Sequence, residues 1–166
     1  SEMCIRDSDA GVEWIQLAEP ALVADLAAAD DSTLAAALKS AYGSILGAEK
    51  RPQVYLTTPY GSLNAGLDVI AELQPEAVQV DLSVGTLALD NSYLERVAKL
   101  AEATHLSAGL VDGRNVWAAN LRDLREKLES LGEGVTVTTS VSLQHVPHTV
   151  EAETSLPVDV ARPAER

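Results

Sequence analysis

The side chains able to do chemistry in this sequence gather just after short aliphatic runs. Glu19 and Pro20 follow the first run. Thr57-Thr58-Pro59-Tyr60-Gly61-Ser62 closes the second, and Asp81 and Ser83 close the third, ahead of Gly85. Asp112-Gly113-Arg114-Asn115-Val116-Trp117 follows the fourth, and Ser140, Ser142 and His145 follow the fifth. These are the residue types of binding and proton handling. Three carboxylates, Glu19, Asp81 and Asp112, stand with a guanidinium, Arg114, whose fork suits a carboxylate or phosphate. Asn115 and Ser142 add hydrogen-bonding groups, Trp117 an indole, and His145 an imidazole. Plainer readings stand beside these. Glu19-Pro20 can simply end a strand, and Asp112-Gly-Arg-Asn is a good turn by composition. His105 precedes an apolar run and reads as packed or solvated. His145 and His148 are separated by Val146 and Pro147 and do not share a helical face, so with no cysteine or third histidine nearby they do not compose a zinc site. No G-x-S-x-G, Walker loop or C-x-x-C occurs.

The elements that must position these residues alternate in two textures. Glu13–Leu17, Gln53–Thr57, Ala77–Leu82, Leu106–Val111 and Val135–Ser140 read as buried strands. Between them lie four amphipathic stretches. Ser32–Leu46 puts Leu34, Leu38, Ala41, Tyr42 and Ile45 on one stripe, and Leu63–Leu73 does the same with Leu67, Ile70 and Leu73. Ser92–Ala103 opens with a capping box from Ser92 to Glu95. Asn120–Leu131 has a cap at Asn120, leucines at 121, 124, 128 and 131, a stop at Gly132, and the pairs Asp123–Lys127 and Arg125–Glu129 on its wet face. Five strands joined by helical crossovers predict an α/β fold with a parallel sheet. A doubly wound sheet would show a glycine-rich turn after its first strand, and Ala18-Glu19-Pro20-Ala21 has none. The remaining architecture is a (β/α)₈ barrel, here a partial one of about five strands and four helices. Residues 1–8 fit no pattern and read as a non-native leader, 9–150 as the barrel portion, and 151–166 as a truncated connector. In such a piece an inward layer of Val78, Val80, Leu106 and Leu110 would lack partner strands and stay partly wet. The uncharged run Val135–Val141 would form an aggregation-prone edge, so the isolated piece is expected to associate or to be molten.

Of the 166 residues, 46% are hydrophobic and 4% aromatic with no Phe, so the core must be aliphatic. Lys and Arg number 12 against 25 Asp and Glu, for a net charge of −13. That excludes the basic surface a nucleic acid or an anionic membrane needs. A single cysteine, Cys4, permits no disulfide framework. No run has the length of a membrane span and none reads as a secretion signal, so the expected location is the cytoplasm.

In order along the chain, Trp14-Ile-Gln-Leu-Ala-Glu-Pro-Ala-Leu-Val23, Val111-Asp-Gly-Arg-Asn-Val-Trp117, Ser140-Val-Ser-Leu-Gln-His-Val-Pro147 and Glu151-Ala-Glu-Thr154 resemble the cobalamin-independent methionine synthases. The resemblance covers Gly11 to Leu156 and points to the second half of the first of that family's two barrels. It implies methyl transfer from methyltetrahydropteroyl-polyglutamate to homocysteine, with zinc activating the thiolate in the second, C-terminal barrel. That barrel's zinc ligands, a His-x-Cys, a Glu and a Cys, correspond here to Thr57 and Pro59, Asp81 and Val141. Thr, Pro and Val at these positions imply a copy that binds no metal or other cofactor, with its catalytic partner in the C-terminal barrel. Two departures stand out: Ala18 where Asp is typical before Glu-Pro, and Val141 where Cys is common. The resemblance leaves no catalytic residue here. It makes Asp112, Arg114, Asn115, Trp117, Ser142, His145, Glu19 and Asp81 substrate-binding or interdomain residues. Two other classes stay open. One is a barrel enzyme of the uroporphyrinogen decarboxylase type, with Asp81, Asp112 and Arg114 converging on a substrate. The other is a binding module without catalysis.

Overall fold

A computed structural model describes residues 2–24, 31–63, 65–83, 91–149, 151 and 154–155. Five strands, β1 (Trp14–Ala18), β2 (Gln53–Thr58), β3 (Ala77–Asp81), β4 (His105–Val111) and β5 (Thr136–Thr139), form one sheet in the order of the chain. Every adjacent pair is parallel. Helices α1 (Glu2–Asp9), α2 (Asp31–Leu46), α3 (Gly66–Leu73), α4 (Asn91–Ala101) and α5 (Leu121–Leu131) complete the α/β pattern, with 3₁₀ turns at Pro20–Leu22 and Leu143–His145. Strand bounds fall within a residue or two of those the sequence predicts. The tail beyond 155 and Gly85 lie outside the described residues.

Sequential parallel neighbours joined by helices place all strand C-termini at one end, the end where barrel enzymes keep their sites. Leu56, Val78, Val80, Leu106, Ala108 and Leu110 pack against Leu38, Tyr42, Leu67, Ile70, Val97 and Leu100 of the helices. This corrects the expectation of a wet inward layer, because Val78, Val80, Leu106 and Leu110 are all buried. They alternate with Gln79, Asp81, Ser107 and Gly109 along β3 and β4, and it is this second, polar set that lines the other face. The strand period of two decides the matter.

Local signals mostly hold. The Asn120 side chain accepts the Arg122 N–H at 3.2 Å, and Gly132 ends α5 with φ of +92°. Arg125 and Glu129 pair at 2.7 Å. Lys127 does not follow its sequence neighbour: its ammonium donates to the Leu82 carbonyl at 3.3 Å, while Asp123 accepts from the Asn120 amide at 2.8 Å. Leu121 is 77% exposed, since it starts the helix one turn ahead of Leu124, the first leucine to pack. Ala41 is likewise exposed. Helix α3 starts at Gly66, yet Leu63 is buried at helical spacing from Leu67. Helix α4 starts at Asn91, which puts Ser92 inside the first turn instead of at the cap.

The N-terminal end of the sheet is closed by one ion pair. Arg51 grips Glu76 with two bonds, of 2.7 and 3.0 Å, and also donates to the carbonyls of Leu46 and Pro52. Glu76 additionally accepts the Val54 N–H at 2.8 Å. These hydrogen bonds, the Arg51 ones foremost, outweigh partial burial and hold the Glu76 carboxyl below its ordinary value.

Candidate functional site

The turn after β4 is built by its own side chains. Asp112 Oδ1 accepts the Arg114 backbone N–H at 2.9 Å, and its Oδ2 accepts the Asn115 side-chain amide at 2.7 Å. Asn115 Oδ1 in turn accepts the Trp117 N–H at 2.9 Å. Asp and Asn suit these places because their short side chains can satisfy backbone donors two residues on. Gly113 is required by proximity: a Cβ there would lie 2.6 Å from the Val141 carbonyl oxygen. Its N–H donates to the Ser140 hydroxyl at 3.1 Å. The pairing of β4 and β5 shifts register between Gly109 and Val111, a bulge of the kind that re-aims side chains beside a site.

So fixed, Arg114 turns toward the end of β3. Its guanidinium donates to the Ser83 hydroxyl, lies 3.8 Å from Asp81 Oδ2, and meets Asp112 Oδ1 at 3.3 Å. Asp81 is fully buried, and its Oδ1 accepts both the N–H and the hydroxyl of Ser83, at 3.0 and 2.8 Å. The Arg114 side chain remains 32% exposed, and Trp117 is 54% exposed. The arrangement is a guanidinium held by two carboxylates and a hydroxyl, with one side open to solvent. It can orient a polar or anionic group.

Asp81, Asp112, Arg114, Asn115 and Trp117 thus come together. Glu19 and Ser142 do not join them. Glu19 caps the 3₁₀ turn after β1 by accepting the Ala21 N–H at 3.1 Å, and its second oxygen accepts the Tyr42 hydroxyl at 2.9 Å. Burial, and then this carboxylate, raise the Tyr42 phenol far above its usual range. Ser142 caps the turn 143–145 through the Gln144 N–H at 3.3 Å. His145 ends that turn, and its side chain lies outside the described residues.

The residues at the ligand-equivalent positions do not fit a zinc ion. Pro59 and Val141 have no donor atom, the Thr57 hydroxyl is directed to the Leu17 carbonyl at 3.4 Å, and Asp81 is engaged with Ser83. Among the described residues no three His, Cys, Asp or Glu side chains cluster. Ser83 and Gln79 are missing from the site residues chosen by sequence. Their signals are present in it: Ser83 stands two residues after Asp81, the spacing of an Asx turn, and Gln79 interrupts the aliphatic run Ala77–Val80. Tyr60, exposed at the end of β2 with φ of +76°, is a further strained feature at this end.

Residues 5–136 match the family described as the cobalamin-independent synthase, N-terminal domain. Among curated relatives, a protein of Rhodococcus jostii is 38% identical over 159 residues, covering 91% of this chain and 19% of the relative. One from Mycolicibacterium paratuberculosis is 41% identical over 152 residues, covering 90% and 19%. One from Mycobacterium leprae is 40% identical over 149 residues, covering 88% and 18%. All three are named 5-methyltetrahydropteroyltriglutamate–homocysteine methyltransferase. The chain therefore spans about a fifth of the length of these relatives.

Proposed function

The chain belongs to the family of cobalamin-independent synthase N-terminal domains, and from that premise we propose that it is part of a methyltransferase. The enzyme carries a methyl group from methyltetrahydropteroyl-polyglutamate to homocysteine, giving methionine. The observation that carries this reading is the family match over residues 5–136, joined to relatives of that name at about 40% identity. Neither a decarboxylase of the uroporphyrinogen type nor a free-standing module has a comparable observation behind it, although Asp81, Asp112 and Arg114 do converge.

In this reading the chain is the scaffold and folate-side portion, inactive alone, and its partner is the C-terminal catalytic barrel of the longer protein. Zinc, when bound in that barrel, lowers the pKa of the homocysteine thiol. The residues of this chain bind and orient. Asp112 and Asn115 shape the turn, and Asp81 and Ser83 aim Arg114. Arg114 and Trp117 present a charged fork and an indole to the facing domain or to the folate. Glu19 and Ser142 hold neighbouring strand ends, and His145 is proposed as a further residue of this end. With a net charge of −13 the surface offers nothing to nucleic acid. Among the described residues no helix is long and apolar enough to cross a membrane, and the proposed location is the cytoplasm.

The test is substitution in the full-length enzyme. Arg114→Ala is expected to weaken folate binding or domain docking while kcat at saturating substrate is largely kept. Loss of turnover with docking and stability intact would overturn the assignment of Arg114 as non-catalytic. Metal analysis of this dialysed chain is expected to find well under one zinc per chain, and a stoichiometric ion would contradict the scaffold reading.

A further inference from the structure

Gln79 lies midway along β3 on the polar face and is 5% exposed. Its terminal amide bonds neighbours on both sides of β3: Oε1 accepts the Thr58 N–H of β2 at 3.2 Å, and Nε2, crossing over β4, donates to the Ser140 carbonyl just after β5 at 2.9 Å. The crossing passes Gly109, where a Cβ would stand 2.8 Å from Gln79 Nε2. Any larger residue would close that passage. The two partners also dictate the chemistry. Thr58 needs an acceptor and Ser140 a donor, so a carboxylate or an apolar side chain of similar length cannot serve both. Ser140, fully buried, then fixes the site turn, since its hydroxyl accepts the Gly113 N–H at 3.1 Å. Gly113 sits between Asp112 and Arg114.

We propose that Gln79 is a positioning residue for the 112–117 turn: its amide, laid across β4 in the space Gly109 leaves, holds Ser140 so that Ser140 can fix Gly113. The functional reading supplies the importance of that turn, but the strut itself is independent of any substrate. It links the ends of β2 and β5 through a single side chain, and it explains why one polar residue interrupts the aliphatic pattern of β3.

Hydrogen–deuterium exchange with mass spectrometry on the full-length protein that carries this chain tests the proposal, comparing the parent sequence with Gln79→Leu and Gln79→Glu. In both variants, exchange at Gly113 and Arg114 is expected to accelerate roughly tenfold, the scale set by one buried hydrogen bond, while Val78 and Leu106 keep their protection. Gln79→Glu retains an acceptor for Thr58, so Thr58 stays protected in that variant and loses protection with leucine. This split separates positioning from general destabilisation. Unchanged exchange at Gly113 would overturn the strut. Equal acceleration of every amide, or failure of both variants to fold, would make Gln79 a core-stability residue only and would equally overturn it. Those results would leave the methyltransferase reading standing, and a longer protein without methyl transfer would leave the exchange pattern untouched.

Discussion

The two ends of the sheet each hold an arginine among carboxylates, and they use it differently. At the N-terminal end Arg51 and Glu76 are saturated: five hydrogen bonds join the end of α2, the start of β2 and the start of β3. At the C-terminal end Arg114 touches Asp112, Asp81 and Ser83 from a turn, with a third of its side chain open to water. The first is a staple, and the second is a presentation. Similar ionic chemistry does different jobs because two backbone carbonyls engage the Arg51 guanidinium itself, whereas the guanidinium of Arg114 meets side chains of two separate turns. Parallel barrels in general build stability at one end and function at the other, and the role proposed for Arg114 agrees with that division.

The comparison breaks most severely at Gly109. In Gly109→Ala the new methyl would meet Gln79 Nε2, Ser140 Cα and the Val80 carbonyl oxygen, all at 2.8 Å. Two of these are backbone atoms, so strands must shift. A loss of about 2–3 kcal/mol is expected from denaturant unfolding, with the C-terminal end disturbed and the Arg51–Glu76 pair intact.

Next in size is the staple. Glu76→Gln removes the charge that Arg51 grips and is expected to cost about 1–3 kcal/mol. The pH dependence follows from the sign of the shift. A carboxyl whose folded pKa is lowered contributes stability above its unfolded value, near 4.5, and loses it as pH falls through the folded value. Acid unfolding curves should therefore be flatter below that pH in the variant. A steeper acid loss would show that Glu76 is not a stabilising contact.

Arg114→Ala should cost less, about 1 kcal/mol, because its contact with Asp112 is solvent-screened and the buried Asp81, 3.8 Å from the guanidinium, keeps both of its Ser83 bonds. A midpoint change as large as that of Glu76→Gln would erase the distinction between the two ends. The smallest effect concerns the open edge. Val137 of β5 is 45% exposed, and among the described strands β5 pairs only with β4. Val137→Lys should change unfolding by roughly 0.5 kcal/mol or less while reducing association seen by light scattering. Equal association of both proteins would move the contact to another surface.

Much of this was readable before the structure. The aliphatic runs and amphipathic stretches reported strands and helices closely because periodicity is a local property. The Asp112-Gly-Arg-Asn turn was readable as a turn, and Asp112 and Asp81 as partners for Arg114. What escaped was any fact requiring the facing strand. Pattern alone assigns Val78, Val80, Leu106 and Leu110 to the inward layer, whereas the folded strands turn them to the helices. Spacing alone pairs Lys127 with Asp123 four residues away, whereas in the fold its ammonium reaches the Leu82 carbonyl just after β3.

By itself the sequence determined the class of fold, the order of elements, the aliphatic core and the residue types at each strand end, since those depend on period, capping and turn chemistry. The tertiary structure alone decided which face each strand shows to the helices, that Glu19 serves Tyr42 and not the cluster, and that Gln79 reaches Ser140 across Gly109. The physical reason is range. Hydrophobic periodicity acts over a few neighbouring residues, whereas a contact between residues 79 and 140 exists only after three strands have been set in register.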